Sequence, residues 1–218
     1  MAVKIGSARI DENGKAHGGQ AGDQTGKEVS TQNWYLNSKG WRVFRAKNPA
    51  VAEKIAQCME RACANSAIGY DQYQRHTLYK AAEPLGFDTA KVATPCETDC
   101  SALVRVCCAY AGIVGLPEGF RTGNMPANLA NTGAFVELTG SKYQEQSAYL
   151  GRGDILVTKT SGHTVVVLTN GGKYEGTVER ISAMHTQKTG GLRLRFFHAV
   201  VAITARPSRR HTEPGPRR

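Results

Sequence analysis

The chain has 218 residues, enough for one good-sized domain or two small ones with a buried core. Its hydrophobic content of 40% and charged content of 21% are ordinary for a soluble globular protein, and no apolar run approaches the roughly 18 residues of a membrane span. The formal net charge of +10 favours an anionic polymer as partner: nucleic acid, an acidic lipid surface or a bacterial wall.

The N-terminal segment is polar and rich in glycine, which predicts turns and short extended pieces. Residues 1–15 have no apolar core of a secretion signal, so we expect synthesis in a reducing cytoplasm, where the six cysteines stay mostly thiols. The segment GDQTGKE resembles a phosphate-binding loop, but three residues rather than four separate Gly22 from Gly26, and Glu28 follows Lys27. A carboxylate there would repel phosphate, so no nucleotide site is expected.

Two helices can be predicted from local patterns. The first begins at Pro49 with Asn48 as its N-cap. Its apolar stripe consists of Val51, Ile55, Cys58 and Ala62. Cys58 lies on this stripe and Cys63 beside it, so both are predicted to be small core residues. The second helix is predicted over SALVRVCCAYAG, which places its start at Cys100.

The second half of the chain favours strands. Residues 115–135 are predicted to be loop, and three short β-rich segments follow: GDILVTK, HTVVVLT and KYEGTVER. The NGG between the second and third segments is typical of a hairpin turn. One or two further strands are predicted in residues 191–205, and the basic tail 206–218 is predicted to be disordered. Helices followed by a run of antiparallel strands predict an α+β fold.

Four of the six cysteines lie in the stretch PCETDCSALVRVCC. Structural zinc sites usually pair two Cys-x2-Cys knuckles that are far apart in sequence. Here Cys107 and Cys108 point about 100° apart on one helix, so they cannot both face a metal ion held by Cys96 and Cys100. No metal site is expected. A Cys96–Cys100 disulfide stays open on spacing, although a reducing compartment disfavours it.

Cys100 instead has the position of a nucleophile. A thiol attacks as its thiolate, and the positive end of a helix favours that form. Free N–H groups in the first turn of the helix would also hold an oxyanion. The general base is predicted to be His163, which opens the apolar strand HTVVVLT behind the flexible TSG.

The order of these motifs resembles the NlpC/P60 group of papain-like cysteine peptidases. The pattern runs from an aromatic-rich loop, GYDQY, to DCS at a helix start, then to GDIL at a strand and GH before an apolar strand. In more detail the chain resembles phage and prophage lysins of Gram-positive bacteria, which also have GDQTGKEV-type and GYDQ-type segments before the DCS. The resemblance implies a papain-like fold, in which the nucleophile's helix packs on an antiparallel sheet.

The resemblance implies a catalytic triad. Cys100 would be the nucleophile and His163 the general base, and the residue that orients the imidazole would follow about twelve residues later, at Glu175. The family more often has His, Asn, Asp or Gln at that position. Asn170 is the alternative if the register of the hairpin differs.

The resemblance also implies residues that bind substrate. Asp99 and Ser101, which flank the nucleophile, would bind the free amine of a wall peptide. The family's tyrosine near the oxyanion corresponds to Tyr70, with Tyr73 as the alternative.

The implied function is hydrolysis of an amide bond of bacterial peptidoglycan, either within the stem peptide or as an N-acetylmuramoyl-L-alanine amidase. The catalytic domain would span residues 48–205, with residues 1–47 as an N-terminal extension packed on it. No cofactor, nucleic-acid partner or membrane is implied, and a monomer is expected. Without a secretion signal, the enzyme would reach the wall through a phage holin or after lysis.

Two other functions fit the same sequence. A non-catalytic module that binds the wall or nucleic acid through its positive charge would leave Cys100 as a buried, inert thiol. A transferase or a deamidase would use the same scaffold for a different reaction. Alkylation separates the first alternative from a hydrolase, because a catalytic thiolate is alkylated fast at neutral pH and a buried thiol is not.

Overall fold

A computed structural model describes residues 2–176 of the chain. The strands predicted in residues 191–205 and the tail 206–218 lie outside the described residues. Within the described range the structure has eight strands, five α-helices and two short 3-10 turns, at Glu83–Leu85 and Thr89–Lys91.

The strands are β1 (Lys4–Ala8), β2 (Val29–Asn33), β3 (Trp41–Ala46), β4 (Ile68–Tyr70), β5 (Cys96–Thr98), β6 (Phe135–Leu138), β7 (Ile155–Thr158) and β8 (Thr164–Val167). Six of them form one antiparallel sheet with the order β2-β1-β8-β7-β3-β6. The other two, β4 and β5, pair in parallel as a separate small sheet. The predicted α+β class with an antiparallel sheet is confirmed.

The helices are α1 (Pro49–Cys63), α2 (Thr77–Ala82), α3 (Cys100–Tyr110), α4 (Met125–Asn131) and α5 (Ser141–Gln144). The predicted starts of α1 and α3 are both confirmed. Asn48 caps α1, because its side-chain oxygen accepts a hydrogen bond from the N–H of Ala50 at 2.9 Å. Cys58 is fully buried, as predicted, and Cys63 is half-buried. None of the helices in residues 2–176 is long and apolar enough to cross a bilayer.

The prediction that helices precede strands is wrong at the N-terminus. β1, β2 and β3 come before α1 and supply half of the six-stranded sheet. β1 lies between β2 and β8, so residues 1–47, predicted to be an extension, contribute strands to the same sheet as β8. β1 contains Gly6 and Ser7, and such residues weaken the β signal in the sequence.

The prediction of loop over residues 115–135 is wrong in part. α4 lies within this segment and begins with a proline in its first turn, which is a favourable helix start. β6 begins at the end of the segment and pairs with β3 at the edge of the sheet. The glycines that predict a loop lie in the turns around α4. The helix itself, MPANLAN, also contains proline and asparagine, which is why its helical character is not visible in the composition.

The hairpin predicted after β8 does not form in the described residues 168–176. The N–H groups of Gly171 and Lys173 instead donate to the carbonyls of Leu150 and Ala148, at 2.8 and 2.7 Å. The chain therefore turns away from the sheet after β8 to run beside the segment that precedes β7. Residues 177–180 of the predicted third β segment lie outside the described residues.

Both faces of the sheet are buried. The inner face packs against α1 and α3, and its core includes Phe44, Ile155 and Val166. The outer face has a second core, which includes Trp41 and Val165. Side chains of β8 alternate between the two cores. β8 is therefore an inner strand held on both faces, and the residues at its start lie on a rigid element.

The GDIL motif has a structural explanation. Gly153 has φ +87°, and a Cβ at this position would collide with the backbone of Ala52 in α1. Asp154 forms a buried, bidentate ion pair with Arg45 of β3, with N–O distances of 2.8 and 2.7 Å. The motif thus fixes the start of β7 against both α1 and β3.

Candidate active site

Cys100 is the first residue of α3, where the sequence predicts the nucleophile. Asp99 is the N-cap, and its Oδ1 accepts a hydrogen bond from the N–H of Ala102 at 2.7 Å. β5 ends at Thr98, one residue before the cap, so the small sheet and the helix together fix the position of the cysteine. The remaining two cysteines of α3, Cys107 and Cys108, are fully buried in the core, as the helical pattern predicts.

Helix α3 packs against β1 and β8, which pair at Ile5–Val167 and Gly6–Val166. The backbone N–H of Thr164, the first residue of β8, lies near the Cys100 thiol. The residue is 7% exposed. Burial, followed by the charge of Asp99, raises the pKa of the Cys100 thiol to about 12, while the Thr164 N–H acts in the opposite direction. The thiol is therefore protonated at neutral pH in the free protein.

His163 immediately precedes β8, next to the residue that contacts the thiol. Its backbone is held by Thr158, whose hydroxyl accepts from the His163 N–H and whose N–H donates to the His163 carbonyl, both at 3.0 Å. The imidazole Nε2 lies 3.5 Å from the hydroxyl of Ser7 on β1. Burial, and then the charge of Arg9, lowers the pKa of His163 to about 4, so the ring is neutral at pH 7.

The structure brings Cys100 and His163 to one junction without a bond between them. Within residues 2–176, no hydrogen bond joins the thiol to the imidazole. The Cys100 thiol and the His163 imidazole are therefore both neutral in the free protein, and they do not form a preformed thiolate–imidazolium pair. Attack would require the ring to turn from Ser7 towards the sulfur.

Asp99 and Ser101 form a buried network with Arg75, a residue that sequence reasoning missed. The Arg75 guanidinium lies 3.1 Å from the Asp99 carboxylate and donates to the Ser101 hydroxyl at 3.0 Å and to the Phe120 carbonyl at 2.6 Å. Ser101 donates in turn to Asp99 at 2.9 Å. A substrate amine at Asp99 would share this carboxylate with Arg75. In the sequence, the one indication that Arg75 belongs to the site is its position at the end of the aromatic-rich stretch GYDQYQR.

Tyr70 lies at the end of β4, beside the start of α3, and is 4% exposed. Its hydroxyl accepts a hydrogen bond from the side chain of Gln72 at 3.0 Å. Burial raises the pKa of Tyr70 to about 12, and the proximity of Cys100 acts in the same direction. Tyr73, the alternative, is 75% exposed and stacks on the ring of His17. Tyr70 is therefore buried near the thiol, whereas Tyr73 lines the cavity that opens at it.

Glu175, the predicted third residue of the triad, has partners at α5. Its carboxylate accepts a hydrogen bond from the Tyr143 hydroxyl at 2.9 Å and pairs with Lys142 at 3.1 Å. The alternative, Asn170, accepts from the backbone N–H of Arg152 at 2.8 Å. The side chain beside the imidazole is that of Ser7, whose contact depends on sheet pairing and has no signal in the sequence.

Two cavities flank the junction. A cavity of about 350 Å³ opens at the thiol, and its lining comprises Gln72, Tyr73, Arg75, Asp99, Cys100, Ser101, Arg121, Thr122, Ser161 and Gly162. A larger cavity of about 510 Å³ is lined by Arg9, Ile10, Gln32, Tyr35 and His163. Gly162 and His163 are consecutive, so the two cavities adjoin through one peptide unit. Among residues 2–176 there is no group of three His, Cys, Asp or Glu side chains arranged to hold a metal ion.

Comparison with known proteins identifies the family. A model of the endolysin-like domain matches residues 5–174, which is most of the chain. No curated protein and no solved structure matches the chain. The matched range begins in β1 and includes both Cys100 and His163. The chain therefore belongs to the endolysin-like domain family, which indicates a hydrolase that lyses the cell wall.

Proposed function

We propose that this protein is a cysteine peptidoglycan hydrolase of the papain-like NlpC/P60 type, which cleaves an amide bond of the wall peptide. The observation that carries the proposal is the position of the Cys100 thiol. It lies at the N-terminal end of α3, near the backbone N–H of the residue that follows His163, and lines a cavity. The enzyme would act on the wall after release from the cell in which it is made.

The first step is formation of an acyl-enzyme. As substrate enters, the imidazole of His163 turns to the thiol, accepts its proton, and the sulfur attacks the amide carbonyl. The N–H of Ser101, which already lies beside the sulfur, is placed to donate to the developing oxyanion. The imidazolium then donates its proton to the leaving amine, and the C–N bond breaks. A thioester on Cys100 remains.

The second step is hydrolysis of the thioester. His163 accepts a proton from water as the water oxygen attacks the thioester carbonyl, and the imidazolium returns that proton to the sulfur as the C–S bond breaks. The products are a carboxylic acid and the free thiol. Because both groups start neutral, proton transfer accompanies attack, and no standing ion pair is needed.

Substitution of the nucleophile tests the proposal. Cys100→Ala should reduce clearing of purified cell walls by at least about a thousandfold, because removal of a catalytic nucleophile leaves only binding and electrostatic effects. Cys96→Ala is the matched control, since Cys96 is a buried cysteine in the adjacent β5. Circular dichroism should show both variants folded. If Cys100→Ala clears walls at the rate of the control, Cys100 is not the nucleophile.

One observation favours the non-catalytic alternative and sharpens this test. The Cys100 thiol is nearly buried and has a raised pKa, as an inert core thiol would. In a wall-binding module, Cys100→Ala would bind and affect walls as the unaltered protein does. Mass spectrometry of digested walls would also identify the cleaved bond, since stem-peptide cleavage exposes a new peptide amine and amidase action separates the lactoyl group from the peptide.

A further inference from the structure

The cavity of about 510 Å³ on the far side of His163 is a second feature with recognisable chemistry. Its walls come from the end of β1, from β2, from the loop before β3 and from the start of β8. Four of its five lining side chains can donate hydrogen bonds: Arg9, Gln32, Tyr35 and His163. None of the five is acidic. The cavity therefore favours an anionic group over a cationic one.

The charge in this cavity comes from Arg9, which is exposed. Its guanidinium donates to the Ser30 hydroxyl at 3.3 Å, and within residues 2–176 it has no ion pair with a carboxylate. Of the two arginines that line the adjoining cavity, Arg75 is already paired with Asp99, and Arg121 lies on the side of the thiol. A planar guanidinium with unused N–H groups matches the geometry of a carboxylate.

The remaining walls are preformed. Tyr35 packs edge-on against Trp41 with ring centroids 5.8 Å apart, and the Trp41 indole N–H donates to the Tyr35 carbonyl at 2.9 Å. Ile10 is 40% exposed and offers an apolar contact beside the cation. Such a combination fits a short aliphatic amino acid that carries a free carboxylate.

We propose that this cavity is a subsite for a carboxylate of the wall peptide, with Arg9 as the residue that binds it. The inference deepens the proposed function and rests on it. A peptide that crosses the Gly162–His163 unit would present its scissile amide to Cys100 and its carboxylate to Arg9, because those residues line adjoining cavities. The carboxylate would also offset the Arg9 charge that disfavours protonation of His163, so binding would make the imidazole more basic.

Direct binding tests the subsite without turnover. The full-length chain with Cys100→Ala is titrated with two stem pentapeptides that differ only at the terminal D-alanine, one with a free carboxylate and one with a carboxamide. Binding is measured by calorimetry. We expect the carboxylate peptide to bind about tenfold more tightly, because a charge-assisted bidentate pair is stronger than a neutral contact. Arg9→Gln should remove this difference. Lys4→Gln, which takes the same charge from the exposed side of β1, should preserve it.

Three results would overturn the subsite: equal binding of the two peptides, a preference that survives in Arg9→Gln, or no measurable binding of either. Inorganic phosphate that binds at Arg9 more tightly than the carboxylate peptide would also overturn it, because the site would then be one for wall phosphates. The binding result does not depend on whether Cys100 is the nucleophile, because the titrated protein lacks the thiol. Equal binding of the two peptides by Cys100→Ala, together with wall clearing by the unaltered protein, would reject only the subsite, whereas clearing by Cys100→Ala would reject only the proposed catalysis.

Discussion

Two arginine–aspartate pairs are buried within residues 2–176, and they differ in their surroundings. Arg45 and Asp154 are 3% and 1% exposed, meet in a bidentate pair, and have further backbone partners at Tyr149 and Gly151. Arg75 and Asp99 are 10% and 9% exposed and meet through one contact, and both line the cavity at the thiol.

The difference separates a pair enclosed by the fold from a pair at the candidate site. The Arg45–Asp154 pair joins β3 to the turn before β7 and has its hydrogen-bonding groups used within the protein. The Arg75–Asp99 pair faces the space where substrate would enter, and Asp99 also caps α3 and raises the pKa of the Cys100 thiol. We therefore expect changes at the first pair to alter stability, and changes at the second to alter thiol chemistry.

The largest effect on stability is expected at the structural pair. Asp154→Asn should lower the free energy of unfolding by about 3–5 kcal/mol, because it leaves the Arg45 charge buried without its partner. Urea unfolding measures the change. Replacement of both residues, Arg45→Met with Asp154→Leu, should recover much of the loss. A single variant that unfolds within about 1 kcal/mol of the unaltered protein would contradict the assignment.

A smaller effect on stability, with a change in reactivity, is expected at the second pair. Asp99→Asn should cost about 1–3 kcal/mol, because asparagine keeps the helix cap while Arg75 loses its charged acceptor. Removal of the Asp99 charge should also lower the pKa of Cys100 and speed its alkylation by iodoacetamide at pH 8.

Asp88→Asn is the control for this prediction. Asp88 also pairs with an arginine and caps a short turn, but its partner Arg61 is 37% exposed and the pair is remote from the thiol cavity. Its loss should leave the alkylation rate unchanged. Equal alkylation rates in Asp99→Asn and the unaltered protein would show that Asp99 does not influence the thiol.

The smallest effect is expected at Glu97, two residues before Asp99. Asp154 and Asp99 each have an arginine partner, whereas Glu97 has acidic neighbours such as Glu28. Burial, and then the charge of Glu28, raises the pKa of Glu97 from 4.5 to about 8. The folded protein therefore holds this proton more tightly than the unfolded chain. The resulting stability is fully present below pH 4.5 and is lost as the pH rises through 8.

Glu97→Gln should remove this loss, since the amide does not titrate. Between pH 6 and pH 9 we expect the unaltered protein to lose on the order of 1–2 kcal/mol more than the variant. Urea midpoints at the two pH values measure the difference. Parallel pH profiles would show that Glu97 is not protonated in the folded protein.

Local interactions account for what could be predicted about this site. The N-cap and apolar stripe of α1, and the start of α3 at Cys100, depend on residues within a few positions of one another, so their signals are visible in the sequence. β7 and β8 were also predictable, because continuous apolar runs are typical of strands buried on both faces.

Long-range contacts account for what could not be predicted. The contact between Ser7 and His163 joins residues that are 156 positions apart, and it exists because β1 inserts between β2 and β8. The pairing of Arg75 with Asp99 likewise depends on how the segment after β4 packs on α3. The prediction for Glu175 assumed a hairpin after β8 that would bring this residue beside His163. In the described residues, the chain leaves the sheet after β8 and runs beside residues 148–150.

Local sequence signals place Asp99, Cys100 and Ser101 at the start of α3 and His163 at the start of β8. Capping and periodicity act over one or two helical turns, so Asp99, Cys100 and Ser101 are placed by their own neighbours. The packing of distant segments sets what surrounds these residues: Arg75 at the Asp99 carboxylate, Ser7 and Arg9 near the imidazole, and the burial that keeps the thiol neutral. Burial and sheet order set those features, and both are properties of the whole fold.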